Sequence, residues 1–284
     1  MEKTKIIHIS TNVHPGVNKK NLLDKVSNDW YAWEATRMKK LYPSLHIECW
    51  TFEGGQKKEI QITHKDIKFR IFPANLNIRH SMGFSIPMLK ALKEEEINTA
   101  KKNTKLIMHL HEYHCWQSLL ILLFKNNLTK VIAQHHGARD PFKNLKKYPR
   151  LGIALPYILF MQIAEKNLLK KASEIYFLSD EEEKYLDKVA PKVKKVFRTM
   201  GIDDNYFKHI SKEDARNKLG LSKDRKYILY LGRIKTTKGI KELLDAFKRL
   251  TNKPLVLLIV GEGVDFEKYR EYVEQKGIKN VTFT

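Results

Sequence analysis

Short runs of apolar residues alternate along the chain with longer amphipathic segments. Runs that are apolar throughout are typical of strands buried on both faces of a sheet. In the first part of the chain, strands are predicted at Lys5–Ser10, His46–Thr51, Ile67–Phe72, Leu106–Leu110, Lys130–Gln134, Glu174–Leu178 and Lys194–Arg198. Helices are predicted near Asn28–Leu41, Pro87–Lys101, Trp116–Phe124, Pro156–Lys171 and Asp180–Val189. This alternation predicts an α/β fold with parallel sheets and helices on both faces.

The same pattern starts again after a polar connecting stretch, Asp203–Arg225, which holds one short helix near Lys212–Leu219. Strands are predicted at Tyr227–Leu231, Leu255–Val260 and Val281–Phe283. Two helices between them are marked by apolar stripes at Ile240, Leu243, Leu244, Phe247 and Leu250, and at Phe266, Tyr269, Tyr272 and Val273. We therefore predict two domains, residues 1–200 and 201–284, the second of them incomplete.

The net charge of the chain bears on what it could bind. The chain has 284 residues, with 53 Lys and Arg against 32 Asp and Glu, a net charge of +21. Most of the excess lies in the first domain. Such a charge suits a phosphorylated substrate, an acidic membrane or a nucleic acid, although composition alone favours a solvated lysine-rich surface.

Cysteine content and hydropathy favour a cytoplasmic protein. Cys49 and Cys115 cannot form a disulfide framework. The first residues lead directly into a strand, without the apolar core of a signal peptide. The longest apolar stretch, Leu151–Ala164, is shorter than the ~20 residues that span a bilayer.

The segment with the strongest chemical signal is Tyr230-Leu231-Gly232-Arg233-Ile234, with Lys238-Gly239 opening the next helix. A glycine at the carboxyl end of a parallel strand lets a ligand approach the backbone. Arg233 and Lys238 then offer two cations beside a helix N-terminus, which itself favours anions. Together they predict a diphosphate site. The alternative is two ordinary surface cations.

A second glycine loop follows the next strand, at Gly261-Glu262-Gly263. A single Gly-x-Gly is a weak signal and is also typical of a tight turn. The longer Gly-x-Gly-x-x-Gly fingerprint follows no strand here, which disfavours a nicotinamide-dependent enzyme.

Taken together, these pieces resemble one family. Gly201-Ile202-Asp203, Phe207, Ala215–Leu221, Tyr227–Ile234, Lys238-Gly239 and Val260–Gly263 resemble, in order and spacing, the hinge and the first half of the donor domain of glycosyltransferase family 4. Its members are retaining enzymes with two facing Rossmann-like domains, the GT-B fold. The resemblance is strongest over residues 201–284.

The first domain resembles the family more loosely. Gly16, within His14–Val17, stands where the family has its glycine-rich first loop, and contact with the donor phosphate is its implied role. His136-Gly137 follows the strand Val131–Gln134 as the family's His-Gly pair does. The resemblance therefore implies that His136 lies near the donor sugar as a catalytic residue, with His135 as the competing choice.

The resemblance implies a nucleotide-sugar donor on the second domain and a hydroxyl acceptor, lipid-linked or phosphorylated, on the first. Arg233 and Lys238, with Gly232, would meet the charge of the leaving diphosphate, and Gly261, Glu262 and Gly263 would contact the nucleotide. No metal or other cofactor is implied. The family's paired glutamates, which contact the donor sugar, are expected past Thr284, so this chain alone is expected to be weakly active or inactive.

Histidines gather in a short segment that holds His109, His111, His114 and Cys115, close to Glu112. With His135 and His136 they make a zinc site conceivable, but the His-Glu-x-x-His helix motif is not formed. Strand-end histidines more often line polar clefts, so we predict an acceptor-side role for His111, Glu112 and Arg139.

Two further alternatives stay open. Arg139–Arg150 is basic and precedes the apolar Leu151–Ala164, a pattern that suits an anionic membrane surface, although a solvated loop before a core helix is the favoured interpretation. A sugar-nucleotide epimerase of the same fold and a basic nucleic-acid-binding protein are the competing functions. The aromatic set Trp30, Tyr31 and Trp33 is expected to form one face of a helix rather than a nucleic-acid contact.

Overall fold

The chain forms two compact units, Met1–Gly201 and Ile202–Thr284. Their structure is a computed structural model, and it describes residues 3–10, 22–27, 29–77, 82–135, 151–199, 208–250 and 254–284. In the first unit the strands are β1 (Thr4–Ser10), β2 (His46–Glu53), β3 (Ile60–His64), β4 (Ile67–Pro73), β5 (Leu76–Asn77), β6 (Gly83–Phe84), β7 (Lys105–His111), β8 (Lys130–Gln134), β9 (Glu174–Phe177) and β10 (Lys194–Phe197). The helices are α1 (Leu22–Ser27), α2 (Trp30–Leu41), α3 (Ile86–Lys101), α4 (Trp116–Phe124), α5 (Leu151–Leu168) and α6 (Asp180–Val189).

The sheet of the first unit has the strand order β10-β9-β8-β7-β1-β2-β4-β3. Every pairing in it is parallel except that of β3 with β4. The predicted parallel sheet is thus confirmed, with one antiparallel edge strand that was missed. β3 pairs with β4 through a tight turn whose residues Lys65 and Asp66 both have positive φ, the geometry of a hairpin turn.

Helices cover both faces of this sheet. On one face Ile7, Ile9 and Met108 pack against α3, α4 and α6 in the largest apolar core. On the other face α1 and α2 pack against β2 and β4. Over β1 and β7 that second face is instead polar, because His8, His109 and His111 alternate with the apolar residues of the two strands.

Three local expectations need correction. The predicted helix Pro156–Lys171 begins earlier, at Leu151, and keeps Pro156 inside it. Trp30, Tyr31 and Trp33 do not form one face, since Tyr31 is buried whereas Trp33 is 60% exposed. A short helix, α1, precedes α2 and was not predicted. Among the described residues, no helix is long and apolar enough to cross a membrane.

The second unit consists of α7 (Lys212–Lys218), β11 (Lys226–Leu231), α8 (Ile240–Lys248), β12 (Leu255–Val260), α9 (Phe266–Gln275) and β13 (Val281–Phe283). The strands form a parallel sheet in the order β11-β12-β13. Ile240, Leu244 and Phe247 of α8 pack on one face of it. On β11, Leu229 and Leu231 are 61% and 74% exposed, so the expectation that the apolar strands are buried on both faces is wrong here.

Candidate functional site

Two glycine-containing loops lie side by side at the carboxyl ends of β11 and β12, and we call them the paired glycine loops (residues 232–239 and 261–265). The Gly232 amide donates to the Val260 carbonyl (3.0 Å), and the Ile234 amide donates to that of Glu262 (2.9 Å). A Cβ on Gly261 would lie 2.1 Å from the Gly232 carbonyl oxygen. The two loops therefore approach more closely than any side chain at Gly261 permits.

Gly263 is constrained in the same way. A Cβ there would lie 1.9 Å from the carbonyl oxygen of Ile234, which is buried. Gly232 differs, because a Cβ on it would meet only the end of the Tyr230 side chain, with the hydroxyl oxygen at 3.2 Å. The backbone of Gly261 and Gly263 is thus required for the loops to pair, which gives both glycines a structural role alongside the predicted nucleotide contact.

Asp265 holds the rest of the first loop in place. Its Oδ2 accepts hydrogen bonds from the Thr236 amide (2.7 Å) and the Thr236 hydroxyl (2.8 Å). These bonds lower the pKa of Asp265. Thr236–Lys238 forms one turn of 3-10 helix, and Gly239, at a φ of +71°, then starts α8. The predicted helix start at Lys238-Gly239 is confirmed, and left-handed backbone at that point favours glycine.

The two predicted diphosphate ligands lie on this loop. Arg233 and Lys238 are both exposed, and neither makes an ion pair with any residue that the structure describes. The Arg233 carbonyl accepts from the Tyr230 hydroxyl (2.9 Å), so the backbone beneath the guanidinium is fixed. Arg233, Lys238 and the exposed Lys235 give the loop three positive charges near the N-terminus of α8, an arrangement that attracts anions.

In the first unit the carboxyl ends of β7 and β8 carry side chains that bond to one another. Glu112, directly after β7, has a φ of +89°, which is rare for a residue with a side chain. Its amide donates to the Gln134 carbonyl (2.7 Å), and its carbonyl accepts from the Ser118 hydroxyl (2.6 Å). Its carboxylate pairs with His135 Nδ1. Strained backbone held by several bonds is typical of functional positions.

A second carboxylate lies close by. Glu165 of α5 is buried, and its two oxygens accept from His114 Nδ1 (2.8 Å) and from the Tyr185 hydroxyl. The rings of His114 and His135 meet edge to face, with centroids 4.8 Å apart. These contacts join both carboxylates into one group, which we call the strand-end cluster: Glu112, His114, His135, Glu165 and Tyr185.

A third group lies deeper, on the polar face of β1 and β7, and we call it the histidine cluster: His8, Glu34, His109 and His111. His8 Nδ1 and His111 Nε2 are 3.0 Å apart, within hydrogen-bond distance. His109 Nε2 bonds to Gln134 Oε1 (3.0 Å). Burial lowers the pKa of His109 to about 4 and raises that of Glu34 to about 7. Burial also lowers the pKa of His8, so His8 and His109 are neutral at physiological pH.

Of the predicted site residues, the structure brings together Gly232, Arg233 and Lys238 with the second loop, Gly261, Glu262 and Gly263. His111 is fully buried against His8, whereas Glu112 lies at the strand end. The remaining predicted site residues, His136, Gly16 and Arg139, lie outside the described residues.

Sequence reasoning missed four side chains of these clusters: His8, Glu34, Glu165 and Tyr185. His8 carried a signal, since it is a polar residue within the apolar strand Ile6–Ile9. Glu165 carried a similar signal, as an acidic residue in an otherwise apolar helical segment. Their partners could not be identified in that way, because the contacts depend on strand order and helix packing.

Comparison with known proteins gives one family match. Residues 211–284 match the family Glycosyl transferases group 1. WcaI of Escherichia coli (strain K12), which carries the name of a colanic acid biosynthesis glycosyl transferase, is 34% identical over 80 residues. That stretch is 27% of this chain and 20% of WcaI, so the chain shares only about a fifth of that relative's length.

Solved structures match over nearly the whole chain. A sucrose-phosphate synthase from Thermosynechococcus elongatus matches with a TM-score of 0.64 at 19% identity. The match covers 99% of this chain and 70% of the synthase chain. Anabaena Alr3699/HepE, solved with UDP and glucose, has a TM-score of 0.55 at 13% identity, covering 99% of this chain and 68% of its own. The predicted GT-B fold is confirmed, and residues 211–284 carry the pattern of the group 1 glycosyl transferases.

Proposed function

We propose that this protein is a retaining glycosyltransferase that moves a sugar from a nucleotide-sugar donor to a hydroxyl acceptor. The observation that carries the proposal is the loop after β11, where Arg233 and Lys238 stand exposed and unpaired among the described residues. The loop lies within the segment that matches the Glycosyl transferases group 1 family. The HepE structure with UDP and glucose supports a donor of this kind.

The chemistry of the loop fits a diphosphate. A guanidinium offers a planar pair of N–H donors to phosphate oxygens, and an ammonium adds a point charge. The dipole of α8, which starts at Gly239, favours the same anion. In the transition state negative charge builds up on the departing diphosphate, and groups already aimed at it stabilise that charge without rearrangement. Arg233 and Lys238 are the residues we assign to that task.

The acceptor is assigned to the first unit. In the proposed mechanism the acceptor hydroxyl attacks from the face that the diphosphate leaves, and a departing phosphate oxygen takes the proton, so configuration is retained. We assign His136 to the donor sugar and Gly16 to the donor phosphate. Glu112 and Arg139 are assigned to the acceptor. The pairing of Glu112 with His135 supports this choice, because it holds the Glu112 carboxylate in a fixed position at the end of the strand.

We expect transfer itself to need no metal, and we expect activity of the 284-residue chain alone to be weak. The exposure of Leu229 and Leu231 on β11 supports the second expectation, since apolar side chains left in water do not stabilise the sheet that carries the loop. A sugar-nucleotide hydrolysis assay tests it. Turnover at the rate of a complete GT-B transferase would contradict it.

The acceptor class we favour is lipid-linked or phosphorylated. Helix α5 exposes Leu159, Phe160 and Ile163 on its surface, and it follows the basic segment Arg139–Arg150 in sequence. Exposed apolar side chains next to basic ones suit binding to an anionic membrane surface. In vesicle sedimentation, we expect binding to vesicles of anionic lipid that salt reverses. The triple change of the three apolar residues to Ser should weaken it, and equal binding by the variant would contradict the assignment.

The proposed function is tested by calorimetric titration with UDP. We expect Arg233→Ala and Lys238→Ala each to weaken binding about tenfold or more, since hydrogen bonds to charged groups contribute about 1.5–3 kcal/mol. Arg249→Ala is the matched control, because Arg249 is an exposed cation at the opposite end of α8. Unchanged affinity in both loop variants would contradict the proposal. Tight binding of duplex DNA or RNA at physiological salt would favour the nucleic-acid alternative instead.

A further inference from the structure

The histidine cluster has a composition and geometry that the proposed transfer reaction does not use. In the parallel pairing of β1 with β7, His8 lies opposite His109, and Ser10 lies opposite His111. Side chains two residues apart on a strand share a face, so all three imidazoles project from the same side of the sheet. Helix α2 packs on that side and supplies Glu34.

The ligand atoms of the cluster are close enough to share one ion. One ligand atom from each of the four residues can be chosen so that all lie within 4.8 Å of one another. His8 Nδ1 and His111 Nε2 are 3.0 Å apart, and His109 Nδ1 and Glu34 Oε1 are 3.8 Å apart. Ligands at ~2.0–2.1 Å from a tetrahedral zinc ion are roughly 3.4 Å from each other. Small side-chain rotations would therefore bring the four atoms into place.

The surroundings of the cluster match those of metal sites. His109 donates through Nε2 to the Gln134 side-chain oxygen, which fixes the ring with Nδ1 turned toward Glu34. Metal-binding histidines characteristically donate their other N–H to such an outer partner.

His8 supplies an independent observation. Its side chain is fully buried, and its Nε2 has no hydrogen-bond partner among the residues that the structure describes. A buried polar atom without a partner costs free energy, and an ion is one of the few explanations for it in a native protein. A cation bound through Nε2, after a rotation of the ring that exchanges its two nitrogens, would supply the missing interaction.

We propose that His8, Glu34, His109 and His111 bind one divalent transition-metal ion, with zinc as the best match, as a structural cation in the first unit. Three nitrogen donors and one carboxylate oxygen form a ligand set that zinc accepts, and soft thiolates are not required. On binding, each metal-binding nitrogen donates its lone pair to the ion, and each neutral imidazole keeps its one proton on its other ring nitrogen, so the N–H between His8 and His111 moves to the far nitrogen of its own ring. This assignment gives His111 a structural role in place of the predicted acceptor contact, and it does not depend on the proposed function.

The test is metal binding by the untagged 284-residue chain after treatment with a chelator. Calorimetric titration with zinc chloride should give one ion per chain, and titration with cobalt should give the intense visible absorption of a tetrahedral site. We expect Glu34→Gln to weaken zinc binding at least about tenfold, because outer partners alone contribute about 10–100-fold. Glu34 is partly exposed, so this variant should fold.

His46→Gln is the matched control, since His46 is an exposed histidine in the same unit. It should bind zinc as the unchanged protein does. His109→Gln should lose the tetrahedral cobalt spectrum, with circular dichroism confirming that it folds; if it does not fold, the Glu34→Gln result decides alone. Absence of tight zinc binding, or zinc binding that Glu34→Gln leaves unchanged, would overturn the proposal.

Discussion

The two units treat the carboxyl ends of their strands in opposite ways. In the first unit these ends are filled by titratable side chains that bond to one another, as Glu112 does with His135 and Glu165 with His114. In the second unit these ends lead into glycine-containing loops. Two cations there, Arg233 and Lys238, make no ion pair with any described residue. The carboxyl ends of parallel strands therefore carry a closed polar network in one unit and an open charged loop in the other.

The difference separates two ways of building a site. Side chains that already bond to one another are held in one geometry, and they offer little free charge to a ligand. An open loop of backbone and free cations has unsatisfied charge, so an anion gains most by binding there. This contrast supports the proposed assignment of the donor diphosphate to the second unit and of the acceptor to the first.

The two sheets also differ in how deeply their apolar side chains are buried. The substitution with the largest expected effect on stability tests this difference. Ile9 in β1 is fully buried, whereas Leu229 in β11 is 61% exposed. We expect Ile9→Ala to lower the free energy of unfolding by about 2–5 kcal/mol, as large-to-small core changes do. All four tryptophans lie in the first unit, so their fluorescence during urea denaturation reports that unit.

Leu229→Ala is the comparison for the second unit. Because little of this side chain is removed from water, we expect a change within about 0.5 kcal/mol, measured by hydrogen exchange of the β11 amides. A cost near that of Ile9→Ala would mean that the exposed face of β11 is covered in solution.

The next largest effect concerns the paired glycine loops. Gly263→Ala would place a Cβ 1.9 Å from the Ile234 carbonyl oxygen, and the backbone there has to move. We expect about 2–3 kcal/mol of destabilisation, the range for overpacking, seen as faster hydrogen exchange across the two loops. Gly220→Ala is the control, since nothing lies within 4 Å of its Cβ position and only its φ of +63° is unfavourable. It should cost about 1 kcal/mol. Equal effects would show that the loops do not pair as described.

A smaller effect tests the closed network. Glu165→Ala leaves His114 Nδ1 and the Tyr185 hydroxyl without their acceptor, and both groups are largely buried. We expect a loss of about 1–3 kcal/mol in tryptophan-detected unfolding, the cost of unsatisfied buried groups. Lys194→Ala, which removes an exposed ion pair with Glu174 in the same unit, should cost less than about 1 kcal/mol. The network account is wrong if the two variants are equally stable.

The smallest expected effect is a dependence of the stability of the first glycine loop on pH. The bonds from Thr236 lower the pKa of Asp265, so its carboxylate stabilises the loop fully above the ordinary aspartate pKa of about 3.9. That contribution is lost as the pH falls through the lowered value. We expect the protection of the amides in the Thr236–Lys238 turn, which compares their exchange rate with the intrinsic rate at each pH, to fall with acidification in the unchanged protein. In Asp265→Asn the protection should be lower at neutral pH and should not change over the same range; parallel profiles would exclude the role of Asp265.

Much of the fold follows from the sequence because buried parallel strands are marked by apolar runs. β8, β12, α4 and α6 have the predicted bounds. The edge strand β3 was missed because Ile60 and Ile62 alternate with polar residues, a pattern of half-buried antiparallel strands. The exposed face of β11 could not be predicted, because an apolar run shows what a strand can bury and does not show what covers it.

The site was predictable where it is local. Gly232, Arg233, Lys238 and Gly239 are close in sequence, so the strand–loop–helix pattern sufficed. The histidine cluster is not local, since His8 and His111 meet only through the pairing of β1 with β7. Glu34 and Glu165 come from helices whose packing against the strands fixes their partners.

The central claim is that the paired glycine loops bind the diphosphate of a sugar nucleotide. Hydrogen exchange with and without saturating UDP tests it directly, with peptides covering residues 232–239 and 261–265 compared with those covering β7 and β8. We predict that UDP slows exchange in the two loops and at the start of α8. Exchange that UDP leaves unchanged there, or slows only in the first unit, would contradict the account.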